Sequence, residues 1–139
     1  MKSVVICGKE RWGLTAEEMH KQGFDVWCCG TETRDGADLY VELHGIKVNR
    51  DNVLYELPDE VYCQGLPVNN TISALLIFAF LKGYTNIAIL GAPMTGSDEY
   101  IEQRSGVAWV CGWLQAKGII IDWKDKPVNV NYGRKNWKN

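Results

Sequence analysis

Short apolar runs that are continuous, rather than alternating with polar residues, constrain the fold of this chain most. The clearest are SVVIC at 3–7 and NIAIL at 86–90, and a glycine follows each directly. Strands buried on both faces of a helix-covered parallel sheet have this pattern. These two segments therefore predict an α/β protein.

Helical segments separate the predicted strands. Thr15, with Glu18 three residues later, forms a capping box that predicts a helix over 16–22. A strongly apolar helix is expected over 72–82, and a helix with a polar start over 98–117. A glycine follows each of these three segments, as is common after helix ends.

The remaining strands and the domain limits follow from the same reasoning. Further strands are predicted at 25–29, 38–43, 61–63 and 119–123. The stretch 46–59 is irregular, with one helical turn near 53–57. We expect a single Rossmann-like α/β domain over 1–123, with a mostly parallel sheet of five to six strands and helices on both faces. A basic tail occupies 124–139 and is either solvated or an arm that binds phosphate or a partner.

Composition excludes several classes of function. The net charge is −2, so nucleic acid is not an expected partner. The longest apolar run is too short to span a bilayer, and no signal segment is expected, which indicates a cytoplasmic protein. Five cysteines without metal-ligand spacing indicate reduced thiols and no metal site.

Ligands of open α/β sheets bind beyond the carboxyl ends of the strands, and the first such loop reads GKERWG. This loop has neither the dinucleotide-binding glycine pattern nor a P-loop ending. Gly8, Lys9, Arg11 and Trp12 are candidate ligand-binding residues of this loop. Lys9 and Arg11 would hold a phosphate or carboxylate, and Trp12 would stack on a base. The alternative is a solvated loop whose Trp12 folds onto the core.

A carboxylate and an imidazole end the third predicted strand. Glu42 and His44 are two residues apart and would share one face of the strand. They are candidates for an acid/base pair or for binding sugar hydroxyls. The alternative is a structural histidine at a strand end.

The apolar helix begins with three neutral polar residues, Asn69, Asn70 and Thr71. Helix amino termini bind anions through free N–H groups and the helix dipole, and no acid competes in this first turn. This end therefore suits a phosphate. The alternative is plain capping by Asn70.

The long helix begins differently, with Asp98 and Glu99. These acids would repel a phosphate but suit sugar hydroxyls, a basic ligand group, or a metal ion that bridges to phosphate. Tyr100, Gln103 and Arg104 would form the adjoining wall, with Glu99–Gln103 and Tyr100–Arg104 as helical neighbours. The alternative is that Arg104 pairs within the helix as internal scaffold.

A stripe of small residues lies further along this helix, at Ala108, Gly112 and Ala116. Such a stripe permits close packing on the sheet or on another helix, so a homodimer stays open.

Three segments, 38–45, 69–94 and 98–121, resemble a group of small phage-encoded Rossmann-like proteins, mostly of unassigned function. In that group a strand ends in an aromatic-Glu-Leu-His motif, and a helix begins with an acid-x-Tyr-x-x-Gln-Arg motif. The positions that match are Glu42, His44, Asp98 or Glu99, Tyr100, Gln103 and Arg104. More distantly, the layout is similar to sialyltransferases that use a CMP-sugar and to pterin diphosphokinase-like proteins, which implies a nucleotide-binding crevice.

The resemblance and the candidate residues together predict a phage protein that binds a nucleotide or nucleotide-derived small molecule. An enzyme of this kind would be a glycosyl or nucleotidyl transferase or a glycosidic-bond hydrolase, with Glu42 or Glu99 as base and His44 as acid or orienting group. The alternative is a non-catalytic anti-defence protein that sequesters a nucleotide second messenger or inhibits a host protein. The sequence names no cofactor.

Overall fold

A computed structural model describes residues 1–9, 14–30, 34–92 and 98–124. Its elements follow one another in the alternating order expected of an α/β chain. They are β1 (Ser3–Cys7), α1 (Ala16–Lys21), β2 (Asp25–Cys29), β3 (Leu39–Val41), β4 (Val53–Leu54), a short 3-10 helix (Asp59–Tyr62), α2 (Thr71–Leu81), β5 (Asn86–Leu90), α3 (Asp98–Ala116) and β6 (Ile120–Trp123).

The strands form one six-stranded sheet in the order β4-β3-β2-β1-β5-β6. All neighbouring strands are parallel. The central ladder joins β1 to β5, with Ser3 opposite Asn86 and Cys7 opposite Leu90. The predicted fold class, an α/β fold with a parallel sheet, is confirmed, and the architecture is compatible with a single Rossmann-like domain.

Helices cover both faces of the sheet, which explains why its strands are apolar throughout. Val4 and Ile6 of β1 join the core beneath α2 and α3. Val5 and Cys7 point to the opposite face and pack in the core that contains Ala16 of α1. Because side chains alternate along a strand, covering both faces requires an uninterrupted apolar run.

Helix α2 lies within the core. Every residue from Ile72 to Ala79 is buried. Phe78 packs on Trp27 of β2, with ring centroids 5.3 Å apart, and Phe80 meets Trp113 of α3 edge-on at 5.4 Å. A helix enclosed between the sheet and a second helix has no solvent face to make polar, so its apolar character extends around it.

The prediction for the fourth strand was wrong. Residues 61–63 were expected to form it, but they belong to and follow the 3-10 helix, where Val61 is fully buried. The fourth strand is β4, at the position where a helical turn was predicted, and it pairs with Tyr40 and Val41. A two-residue strand has no periodicity of its own, so its identity depends on a neighbour distant in sequence.

The small-residue stripe of α3 is not packed closely on the sheet. Ala108, Gly112 and Ala116 are all exposed, and a Cβ added at Gly112 would touch nothing within 4 Å. The prediction that the stripe packs closely on the sheet is therefore wrong. Packing on another helix, and with it a homodimer, stays a prediction.

Candidate functional site

The strand order creates a topological switch point between β1 and β5. After β1 the chain moves toward β2 through α1, which lies on one face of the sheet. After β5 it moves the opposite way, toward β6, through α3 on the other face. Connections that diverge in this manner leave a crevice beyond the carboxyl ends of the two strands, where open α/β sheets bind ligands.

Backbone atoms, rather than side chains, meet at the base of this crevice. Gly8 follows β1 and Gly91 follows β5, and the Gly8 N–H donates to the carbonyl of Leu90 at 2.7 Å. A Cβ added at Gly8 would overlap the carbonyl oxygen of Gly91 and would lie 2.9 Å from the Cβ of Ala92. Only glycine permits the two strand ends to come this close.

Strand β2 also ends in glycine, and Lys9 lies across it. Gly30 has a φ of +66°, in the left-handed region that glycine favours. A Cβ at Gly30 would lie 2.6 Å from Cε of Lys9. The exposed Lys9 side chain therefore extends from the end of β1 over the end of β2, at the predicted edge. The other two candidates of this loop, Arg11 and Trp12, lie outside the described residues.

The amino terminus of α2 is capped reciprocally. Asn70 Oδ1 accepts a hydrogen bond from Ser73 N at 2.8 Å, and Ser73 Oγ accepts one from Asn70 N at 3.3 Å. The capping role considered for Asn70 is thus confirmed. Its Nδ2 is buried and has no hydrogen-bond partner among the described residues. The first turn carries no acidic residue, so capping leaves its suitability for an anion intact.

The segment before α2 packs directly on α3. Asn69 Nδ2 lies 3.5 Å from the carbonyl oxygen of Glu102. A Cβ added at Gly106 would overlap Asn69 Oδ1 and would lie 2.9 Å from the carbonyl oxygen of Pro67. Gly106 therefore brings together two of the predicted binding stretches, the start of α2 and the first half of α3.

The polar start of α3 divides between two surfaces. Asp98, Glu99 and Tyr100 are exposed, and Gln103 Nε2 donates to Glu99 Oε1 at 3.1 Å, as the helical spacing predicted. Arg104 instead lines a groove between α3 and β6. Arg104 is two residues from both Glu102 and Gly106, the α3 positions next to Asn69, which places it about 200° around the helix axis from either of them. A binding role for Arg104 therefore stays a prediction, on a separate surface.

Glu42 and His44 lie at the end of β3, and they differ strongly in exposure. The Glu42 side chain is 1 % exposed, and its Oε2 accepts hydrogen bonds from His44 N at 3.0 Å and Ile46 N at 2.7 Å. Its Oε1 lies 3.4 Å from Nδ1 of His44, a side chain that is 68 % exposed. The carboxylate thus holds the turn that follows the strand. A role for Glu42 as a base stays a prediction.

Tyr84 and Cys111, both neutral at pH 7, have raised pKa values, and neither lies at the carboxyl edge of the sheet. Tyr84, at the amino edge, donates to Asp25 at 2.5 Å, and burial together with this bond raises the pKa of its phenol. Burial raises the pKa of the Cys111 thiol, in α3, to about 11. In the part of the chain that the structure describes, no three His, Cys, Asp or Glu side chains group as metal ligands would.

Two features were missed at the sequence level. One is the contact between strand ends, although glycine directly after β1, β2 and β5 was a readable signal. The other is the groove beside Arg104, which is formed by side chains distant in sequence and had no local signal.

No protein-family model matches the chain, and neither a curated protein nor a solved structure matches it significantly. None of the described helices combines the length and apolar character that a bilayer span requires.

Proposed function

We propose that this protein binds a nucleotide or a nucleotide-derived small molecule at the carboxyl edge of its sheet. The observation that carries the proposal is the switch point between β1 and β5, where the strand ends meet at Gly8 and Gly91. Backbone without side chains lets a flat or highly charged ligand approach closely, which is why glycine is frequent at such sites.

The phosphate would be held by Lys9 and by the start of α2. The exposed ammonium group of Lys9 lies over the end of β2, and the first turn of α2 is free of acids. Free N–H groups and the helix dipole favour an anion there. Asp98 and Glu99 at the start of α3 disfavour phosphate and suit the hydroxyls of a sugar.

Binding without catalysis is the form of this function that we favour. Glu42, one of two candidates for a base, is buried and already accepts two backbone hydrogen bonds. A carboxylate held in this way is poorly placed to take a proton from a ligand. Sequestration of a nucleotide, in the phage setting that the resemblance implies, therefore takes precedence over transfer or hydrolysis.

The test is isothermal titration of the full chain with CMP, UMP, a CMP-sugar and a cyclic dinucleotide. We expect binding of at least one of these, and no binding of any at millimolar concentration would overturn the proposal. Asn70→Asp keeps an efficient cap but places a negative charge at the start of α2. It should retain the stability of the parent chain and bind at least about tenfold more weakly.

Matched lysine variants locate the phosphate further. Lys9→Ala should weaken binding, whereas Lys21→Ala, which removes an exposed lysine at the far end of α1, should not. Equal effects would argue against a phosphate at Lys9. Mass spectrometry of the recovered ligand then separates the two forms of the function, because sequestration returns it intact and an enzyme yields products.

A further inference from the structure

Arg104 of α3 carries a positive charge that no described residue neutralises. The residue is half-buried, yet none of the ion pairs and hydrogen bonds between described residues includes its guanidinium group. Arg50, by contrast, contacts the carboxylate of Asp35 at 2.9 Å. A guanidinium group binds a carboxylate through two parallel N–H groups, and it gains most from such a partner where water is partly excluded. Arg104 is therefore a candidate for binding an anionic ligand.

The groove beside Arg104 has the size and character of a small-molecule site. It lies between α3 and β6 and has a volume of about 500 Å³. Such sites usually enclose about 300–1,000 Å³ and combine mostly apolar walls with a few polar groups. The apolar part of the walls consists of Ile101, Ala108 and Cys111 of α3 and of Ile121 and Trp123 of β6.

Apart from Arg104, the described residues that line the groove are uncharged. Trp123 Nε1 donates to Ala92 O at 2.8 Å, so the polar group of this indole is already satisfied and the rest of the ring is apolar. Burial raises the pKa of the Cys111 thiol to about 11, so the thiol adds no negative charge at neutral pH. No acidic residue belongs to the described walls. The groove thus presents one positive charge beside an apolar surface.

We propose that this groove binds an organic monocarboxylate, whose carboxylate contacts Arg104 and whose apolar body lies along Ala108, Ile121 and Trp123. One guanidinium group balances one negative charge, and its planar fork matches the two oxygens of a carboxylate. Burying the apolar body against the walls removes apolar surface of both from water, which favours binding.

The surroundings of Arg104 disfavour a ligand with several negative charges. Asp98 and Glu99 are exposed at the start of α3, about one and a half turns before Arg104. Among the described residues that line the groove, no second basic side chain is present. A nucleotide polyphosphate would therefore meet one cation and two nearby acids, whereas a monocarboxylate needs only the cation. The groove differs in this respect from the nucleotide site proposed above.

Isothermal titration of the full chain with octanoate and with phenylpropionate tests the ligand class. At least one of the two acids should bind with a Kd at or below about 1 mM, and the tighter one shows whether the site prefers a chain or a ring. The ammonium compound with the same apolar body should bind at least about tenfold more weakly, because Arg104 repels it. If neither acid saturates the protein by about 10 mM, or if acid and ammonium compound bind equally well, the proposal is wrong.

Two pairs of variants locate the ligand. Arg104→Gln should weaken binding of the acid at least about tenfold, and Arg104→Lys, which keeps the charge but loses the planar fork, should weaken it less. Ala108→Leu places a larger side chain in the groove and should also weaken binding at least about tenfold. Ala116→Leu makes the same change at an exposed position of α3 outside the groove and should not. Affinities that do not differ among the four variants would refute the assigned location.

The two leucine variants also distinguish a small molecule from a second copy of the chain. Alanine and leucine both favour helix, so both variants should keep the urea midpoint of the parent chain. In sedimentation equilibrium Ala108→Leu should have the same mass as the parent chain. Self-association of the parent that Ala108→Leu abolishes would show that a second copy occupies the groove, and the monocarboxylate site would then be refuted.

Discussion

Replacing Gly106 and Gly112 by alanine, one at a time, is expected to change stability in opposite directions. Both glycines lie inside α3, so each alanine gains about 0.8–1.0 kcal/mol of helix propensity. A Cβ at Gly112 would touch nothing within 4 Å, so nothing offsets that gain. Gly112→Ala should therefore stabilise the protein by about 1 kcal/mol and raise Tm by about 3 °C.

At Gly106 the added methyl group would overlap neighbouring atoms. It would overlap Asn69 Oδ1, which can rotate away, but also lie 2.9 Å from the carbonyl oxygen of Pro67, which can move only with the backbone. Overpacking of this kind costs about 1–3 kcal/mol. Because the cost exceeds the propensity gain over most of that range, we expect Gly106→Ala to be destabilising by about 1 kcal/mol.

Urea unfolding followed by circular dichroism measures both changes, with each variant serving as the control for the other. The displaced Asn69 precedes the cap of α2, so Gly106→Ala should also weaken binding of any ligand held there, and Gly112→Ala should not. If Gly106→Ala were as stable as Gly112→Ala, the close packing of the segment before α2 on α3 would be refuted.

Three further outcomes are expected. Glu42→Gln should destabilise the fold by about 2 kcal/mol in urea unfolding, because a neutral amide satisfies the two backbone N–H groups of the turn poorly; an unchanged midpoint would contradict this. Because the pKa of Tyr84 is raised in the folded protein, the unfolded chain loses this proton at a lower pH, and stability should fall as pH rises above about 10. Tyr84→Phe has no hydroxyl to bond to Asp25, so its Tm in thermal unfolding should fall less over the same pH range. Cys63 is the exposed thiol and should react first with a disulfide reagent at neutral pH, a phase that Cys63→Ser removes, whereas Cys111, buried and with its pKa raised, should react only on unfolding.

Features fixed by short-range chemistry were predictable from the sequence. Thr15 and Glu18 form the predicted capping box, and Asn70 caps α2. The segments with continuous apolar runs, Ser3–Cys7 and Asn86–Leu90, form strands as predicted. In these cases the residues that decide the structure lie within a few positions of each other.

Features that depend on distant partners were not predictable in the same way. Val53–Leu54 becomes a strand because β3 lies beside it, and no local pattern shows this. Helical spacing gave the Glu99–Gln103 neighbours correctly, but it could not show which surface Arg104 faces. That choice is set by how α3 is rotated against α2 and β6.

The sequence predicted where Glu42 and His44 lie, but not how deeply Glu42 is buried or which hydrogen bonds it accepts. The sequence located Glu42 and His44 at a strand end, where they do lie. It could not show that the turn after β3 folds back over Glu42 and uses its carboxylate as a hydrogen-bond acceptor. Burial of an acid is a tertiary property that depends on residues distant from its immediate neighbours in sequence, and the role of Glu42 as a base stays a prediction.

The pairing of β1 with β5 has a consequence for how the protein is made. β1 is synthesised well before its partner strand β5, because β2, β3, β4 and α2 lie between them in the chain. Until β5 is synthesised, the backbone N–H and C=O groups on that side of β1 have no partner strand, and unpaired edges of this kind favour association with wrong partners. Because Gly8 meets Gly91 across the same junction, a chain that stops before β5 lacks both the β1–β5 ladder and the contact between the two strand ends.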